Sequence, residues 1–410
     1  MAQPIIVGLD IGTSSIKGVV GILSKKGKYR FLRAVRQPSS GMRKGMIVDM
    51  EDASVSLAKV AADIQAISRL ALKNVFANIG SAHVDVKNSK GFVVVSRADD
   101  VISHEDVERV IQASQAIPLS ANRTVVHVIP REFVVDGIGD IRDAVGLSGA
   151  RLEVESFIIS AFSPVLKNIH KCAESAGLRI FGLIFGPLAS AKAVLSKTQM
   201  ELGSVLLDFG ASTTGLAVFE EGKLLHAKVF PLGSAHVTND IAIGIKAPIA
   251  VAESIKLSFG AAQSKEISRR DYIDLAKMAA GIDGIISRRF ISEIVETRLA
   301  EIVDVVNNEL KHIGRHAQLP GGAVLVGGGA KLPGMVDFIK QELRLPAQIG
   351  VPTNAAFDNP PKEFRDSFDD PEMALAFGLF LWGAEERTRK SFPLASRGSG
   401  VLRFLRQFLP

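Results

Sequence analysis

The sequence predicts an α/β protein built as two similar lobes around one cleft, with a compact α+β insert in the first lobe and an amphipathic helix at the C-terminus. Three observations carry this. Strand-like and helix-like segments alternate along most of the chain. An apolar strand ending in an acid and a small, hydroxylated turn occurs twice, at residues 10–17 and 208–215. A third apolar strand ends in the triple glycine Gly327-Gly328-Gly329.

A chain of 410 residues has room for two cores, and 47% apolar with 22% charged residues is the composition of a globular protein. The single cysteine, Cys172, can form no internal disulfide and no thiolate zinc site. It fits a reducing compartment and a buried, small apolar role. The N-terminus enters Ile5-Ile6-Val7-Gly8-Leu9-Asp10 directly, so no secretory signal is expected. No stretch reaches the roughly 18 apolar residues of a membrane span. The net charge of +6 is modest and is equally compatible with an acidic membrane surface, a nucleic acid or nothing in particular. No aromatic-plus-basic pattern marks a nucleic-acid module, and no nucleic-acid partner is expected.

Residues 1–82 open the first lobe. Residues 5–23 read as two short strands joined by a polar turn, and 29–36 as a third. Apolar residues from Val55 to Ala71 recur at helical spacing over 52–72, and 74–80 is a further strand. The texture changes near His83. A strand at 91–95, a helix from the N-cap Ser103 to about Ile117, and strands at 124–129, 132–136 and 152–160 make an α+β insert over 83–162. Residues 163–200 return to the first lobe, with a helix at 164–176, a strand at 179–184 and a short helix near 188–195. The second lobe spans 201–385. It has strands at 204–209, 216–219 and 322–326, helices at 248–259 and 285–313 within a helical subdomain (about 245–315), and a closing helix at 371–389. Residues 386–399 are charged, then small and polar, and read as a linker to the terminal helix at 400–410.

Each acid-tipped turn lies between two strands, so it is a hairpin tip and not a Walker or Rossmann loop. In the first, Gly12, Thr13, Ser14 and Ser15 let the backbone approach a phosphate, and their N–H and hydroxyl groups donate to its oxygens. Lys17 adds a cation, and Asp10 is placed to orient water on a magnesium ion. The second turn, with Asp208, Gly210, Thr213 and Thr214, repeats the design. The third, Gly327, Gly328 and Gly329 with Lys331 and Pro333 following, suits the sugar and base of a nucleotide. One such hairpin is an ordinary turn. Two of them and a triple glycine, in this order, imply a duplicated fold clasping one nucleotide between lobes.

This order of turns resembles the superfamily of actin, sugar kinases and heat-shock chaperone ATPases. The helix bearing Glu253 and Lys256 is similar to the one that holds ribose and adenine there. Within the superfamily, nearly the whole chain resembles the FtsA family of bacterial cell-division proteins. The likeness rests on residues 8–17, 125–137, 145–154, 233–242 and 327–334. The second and third of these lie in the insert and point to FtsA in particular. The resemblance implies an actin-like two-lobed ATPase fold with duplicated ribonuclease-H-like cores, ATP and Mg as ligands, and Mg held by Asp10 and Asp208 through water. It also implies filaments formed with the insert's help, the C-terminal tail of tubulin-like FtsZ and other division proteins as partners, and a place on the cytoplasmic side of the bacterial inner membrane.

The second loop departs from the family's Asp-Ile-Gly-Gly-Gly-Thr-Thr-Asp. Ala211 and Ser212 stand for two glycines, and Gly215 for the last acid. Relatives that hydrolyse ATP well carry Gln or Glu at the start of the helix linking the lobes, where this chain has Phe185-Gly186-Pro187-Leu188-Ala189-Ser190. ATP binding with slow or negligible turnover is the expectation, and no catalytic residue is assigned. His127 and His236 have no matching nucleophile and read as structural hydrogen-bonding groups. Asp369 and Asp370 read as a loop acid pair, not a metal site. Arg288, Arg289 and Arg298 fit a solvated helix face; by the resemblance, they lie in the subdomain that receives the FtsZ tail.

On a helical wheel, Val401, Leu402, Phe404, Leu405, Phe408 and Leu409 fall on one arc, and Arg403, Arg406 and Gln407 on the other. The segment suits the headgroup boundary of an anionic membrane. The linker, with Pro393, Gly398 and Gly400, favours release from the globular body over docking on it, and FtsA-like proteins end in such a membrane-targeting helix. Two other functions fit parts of the pattern. A PilM-type protein of the type IV pilus machinery shares the fold and insert but relies on a membrane-protein partner for attachment. A metabolic kinase needs a catalytic acid facing a small-molecule pocket, and none is evident.

Overall fold

The computed structural model describes residues 5–23, 28–96, 99–278, 283–352, 357 and 364–391. The first lobe starts with the hairpin β1 (Ile5–Ile11) and β2 (Ser15–Leu23), in unbroken antiparallel register from Ile5↔Ile22 to Ile11↔Ile16. β3 (Tyr29–Pro38) extends it. A ribbon, β4 (Met42–Arg43) and β5 (Met46–Ile47), leads to α1 (Met50–Ile67). Asp49 starts that helix by accepting the Asp52 N–H, and Leu57, Val60, Ala61 and Ile64 form its buried stripe. Val55 and Leu70, at helical spacing in the sequence, are exposed; the helix ends at Ile67, before Leu70. β6 (Val75–Ile79) then pairs parallel with β1.

The insert follows as β7 (Asp85–Val94), α2 (His104–Ser114), β8 (Arg123–Val135), β9 (Ile138–Ile141) and β10 (Arg151–Phe162). Its antiparallel sheet has the order β7-β10-β8-β9. α2 opens with a capping box between Ser103 and Asp106, and packs Val107, Val110 and Ile111 into a small core with Phe133, Leu152 and Val154. It ends at Ser114, short of Ile117. β8 is one strand where two were expected: it runs through Pro130. The ladder steps past Arg131, pairing Glu155 with Glu132 and then Ser156 with Pro130, and this bulge accommodates the proline.

The chain re-enters the first lobe with α3 (Ser163–Ser175), β11 (Ile180–Phe185), parallel to β6, and α4 (Gly186–Val194). The sheet order is β11-β6-β1-β2-β3. After α5 (Lys197–Leu202) the plan repeats in the second lobe. β12 (Ser204–Phe209) and β13 (Thr214–Glu220) form the hairpin, and β14 (Lys223–Phe230) extends it. The helices α6 (Ser234–Ile245) and α7 (Ile249–Phe259), the ribbon β15 (Tyr272–Asp274) and β16 (Ile285–Ser287), and α8 (Arg288–His312) intervene. β17 (Gly322–Val326), α9 (Met335–Leu343) and β18 (Ala347–Ile349) complete the lobe. Its sheet order, β14-β13-β12-β17-β18, matches the first strand for strand, with both late strands parallel. Residues 285–287, expected as helix, belong to the ribbon instead.

After α10 (Arg365–Phe368) the chain crosses back. α11 (Ala374–Ser391) packs on β1, β2 and α4 of the first lobe. Its Gly378 lies against the Ala189 carbonyl of α4, where a Cβ would overlap that oxygen, so glycine sets how closely these helices cross.

Candidate functional site

The tips of the two hairpins face each other across a cleft of about 380 Å³. The Thr13 and Ser212 hydroxyls are 2.7 Å apart, so the lobes meet tip to tip. Behind the tips stand the two acids. Asp10 is buried, with Lys17 Nζ at 2.8 Å and Asn78 Nδ2 donating at 3.1 Å. The Asn78 carbonyl in turn accepts the Ile11 N–H at 2.8 Å, fixing the strand end. Asp208 accepts from the Ser190 hydroxyl of α4 at 2.9 Å. Burial, with the Asp10 charge added, pushes the Asp208 pKa up to about 6. Burial opposes the Lys17 charge, but Asp10 outweighs it and the lysine pKa is raised.

This donor set suits a magnesium–phosphate ligand. Magnesium is commonly held by one or two carboxylates, with phosphates and water completing the shell. Among the described residues no group of three or more His, Cys, Asp or Glu could hold a metal unaided. A cation between Asp10 and Asp208 would offset the burial and the Asp10 charge that push the Asp208 pKa up. The triple-glycine turn forms another wall. Gly327 has φ +83°, and a Cβ there would lie 2.6 Å from the Asp208 carboxylate and from the Phe209 carbonyl. Only glycine brings β17 this close. Opposite, Lys256 Nζ bonds Glu253 at 2.7 Å and the Thr238 hydroxyl at 2.9 Å, bracing α7 against α6.

Gly12, Thr13, Ser14, Ser15, Gly210, Thr213, Gly328, Gly329 and Lys331 all line the cleft. Thr214 does not: it is buried and donates to the Leu232 carbonyl at 2.8 Å, tying β13 to the loop before α6. Gly215 faces Pro187, which lies 3.0 Å from where a Cβ would sit. Gly186 and Pro187 at the start of α4 line the cleft, but no carboxamide or carboxylate comes from residues 185–190. Asn78 and Glu372 are among the lining side chains that sequence reasoning missed. Asn78 is the next-to-last residue of β6, with no motif around it. Glu372 arrives from the crossover before α11 and pairs with Arg36 at 2.6 Å and Lys331 at 3.7 Å. Asp370 joins the same group through Lys331 at 3.3 Å.

The histidines have structural partners. His127 is buried, accepts the Phe185 N–H at 3.1 Å, and is pushed down to about pKa 3 by burial. His236 Nδ1 accepts the Gly233 N–H at the start of α6. Arg298 forks onto Asp240 and also reaches Glu301; Arg288 pairs with Asp271 at 2.9 Å. Arg289 has only a 3.4 Å contact to Glu293 among the ion pairs of the described residues. The amphipathic segment from Val401 to Leu409 lies outside the described residues. Among those described, no helix is long and apolar enough to cross a membrane.

Two lobes of one plan, joined at a hairpin-lined cleft, define an actin-like nucleotide-binding fold. Solved structures share it: the PilM-PilN type IV pilus biogenesis complex (TM-score 0.65, 19% identity, 93% of this chain and 98% of that one) and MreB 5 of Spiroplasma citri bound to AMPPNP (TM-score 0.56, 14% identity, 95% and 98%). The family model for cell division protein FtsA matches residues 205–378, and that for the SHS2 domain inserted in FtsA matches residues 81–160. Cell division protein FtsA of Borreliella burgdorferi is 33% identical over 388 residues, 94% of this chain and 92% of the relative. That of Pseudomonas aeruginosa is 31% identical over 383 residues, 93% and 90%. The chain belongs to the FtsA family of cell-division proteins.

Proposed function

We propose that this chain binds Mg-ATP between its lobes, polymerises, tethers the FtsZ ring to the inner face of the cytoplasmic membrane and recruits later division proteins. The observation that carries the reading is the pair of facing hairpins with Asp10, Lys17 and Asp208 behind them. The tip hydroxyls and backbone N–H groups hold phosphate oxygens, and Lys17 offsets their charge. The two aspartates hold the hydrated ion. Glu253, Lys256 and the Gly327–Gly329 turn take the ribose and base. Turnover is slow, because no side chain at the start of α4 is placed to orient an attacking water and the Ser190 hydroxyl is engaged by Asp208.

Of the three arginines proposed to receive the FtsZ tail, Arg289 is the most available. Arg288 and Arg298 would have to exchange the acids they already hold. The test is recruitment of FtsZ to lipid vesicles. FtsZ pelleting with vesicles is expected only when this chain and Mg-ATP are present, and Asp208→Ala should abolish both tight ATP binding by calorimetry and recruitment. Unchanged ATP affinity in Asp208→Ala would rule out the clasp.

A further inference from the structure

The first-lobe sheet has two ends. One end forms the cleft, at Ile11 and Asn78. At the other, Ile5 pairs with Ile22, Leu23 with Tyr29, and Asn74 bonds the Ile5 carbonyl while Arg179 N–H donates to Leu72. Around this second end stand the exposed cations Lys28, Arg30, Arg69, Lys73 and Arg179, with Leu70 62% exposed among them. None of the five has an ion-pair partner among the described residues. α11 leaves the body here: its Arg387 bonds the Asn74 side chain and lies over the Phe181 ring. Beyond Glu386 the sequence carries six Lys or Arg and no Asp or Glu.

We infer that this cleft-distal end of the first lobe is a second membrane contact, an electrostatic one, for anionic lipid headgroups. It rests on the membrane reading of the terminal helix, and two features favour lipid as the occupant. The unpaired cations surround the point where the chain departs toward that helix, and an entirely cationic segment continues them. A flat anionic surface met by the helix is therefore brought within a short linker of the cluster. Each lysine or arginine near such a surface strengthens binding by roughly fivefold, within about a Debye length. The contact also sets orientation. With strands rising about 3.3 Å per residue, seven-residue β1 holds the cleft about 20 Å from the lipid, facing away from it.

The test uses the full chain carrying Arg30→Glu, Lys73→Glu and Arg179→Glu together, none of which touches the cleft. Pelleting is measured with vesicles of phosphatidylcholine alone and of phosphatidylcholine with phosphatidylglycerol. The triple variant is expected to bind the anionic vesicles at least about tenfold more weakly at low salt, with the loss shrinking as salt rises and ATP affinity unchanged. The milder triple change to Gln serves if the Glu variant does not fold. Unaltered binding to anionic vesicles overturns the inference, as does a loss confined to duplex DNA binding. Phe404→Glu with Phe408→Glu is measured alongside. If that pair leaves vesicle binding intact while the charge reversals weaken it, the terminal helix fails as an anchor and this surface stands. If the pair releases the protein and the reversals do nothing, the surface fails and the helix stands.

Discussion

Asp208, one residue before the end of β12, has both burial and the Asp10 carboxylate opposing its charge. In the unfolded chain it would titrate near the usual 3.8, and in the fold near 6. Folding therefore takes up a proton between those values, and stability falls as pH rises from about 4 to 6. Above that the full penalty applies, at most about 3 kcal/mol for a shift of about two units and less because the cleft admits water. Asp208→Asn should thus raise the ligand-free melting temperature at pH 8 and do little below pH 4, while weakening Mg-ATP binding. An equal gain at both pH values would remove the charge explanation. Turnover belongs to the same scale: steady-state ATP hydrolysis should fall far below the enzyme median of about 10 per second, and a rate near it would expose a water-positioning group elsewhere in the cleft. The acids, Lys17 and the glycine turns were legible because small and charged residues at strand ends advertise themselves. Asn78 and Glu372 were not, since each reaches the cleft through tertiary placement alone. Thr214 shows the converse, a hydroxyl inside the motif whose side chain points into the lobe.

Among elements, those with strong periodicity or clear caps were readable, such as α1 and α2. β14, α5, α6 and β18 were not singled out. β18 is three residues long and depends on pairing with β17, and the six-residue α5 buries no residue of its own. The expected strands at 124–129 and 132–136 are one strand, β8, which crosses Pro130; the bulge at Arg131 that accommodates the missing donor shows only in the pairing with β10. The insert is likewise less separable than its sequence texture implies. Ile129, Phe157, Ile159 and Ala161 belong to the first-lobe core, and Asp140 and Arg142 reach Lys223 and Glu201 of the second lobe. Deleting 83–162 outright would open that core, so a point change is the cleaner probe of the insert's proposed filament role. Gly91 of β7 lies under α2, where a Cβ would collide with the Val110 carbonyl and the Ser114 N–H. Gly91→Val should destabilise the insert by about 1–3 kcal/mol, speed hydrogen exchange across α2, and abolish filaments while ATP affinity holds. Normal filaments despite a loosened α2 would exclude the insert from the contact.

At the scale of the whole molecule, the duplication was legible from two hairpins and their spacing, whereas the return of α11 to the first lobe was not, because its apolar stripe does not say which sheet it covers. That return matters: it sets Arg387 of α11 beside Asn74, at the end of the first lobe remote from the cleft. Coiled into a helix, as the sequence predicts, residues 401–409 would place six apolar side chains on one arc. Full burial of each would contribute roughly 1.5–3 kcal/mol, but ordering each backbone residue costs about 1–2 kcal/mol. So short a helix is unstable alone in water. It should fold only on lipid, and one copy should hold weakly and reversibly. A filament changes this, since each further tail binds at the high effective concentration set by its neighbours. Vesicle binding should therefore rise steeply with protein concentration as filaments form. Gly91→Val, if it blocks assembly, should reduce binding at a given concentration without touching the tail. Phe404→Glu with Phe408→Glu should release the protein at every concentration, at unchanged ATP affinity. Truncation after Ser399 that leaves vesicle binding intact would show that the helix is not the anchor, and attachment would then need a membrane-protein partner.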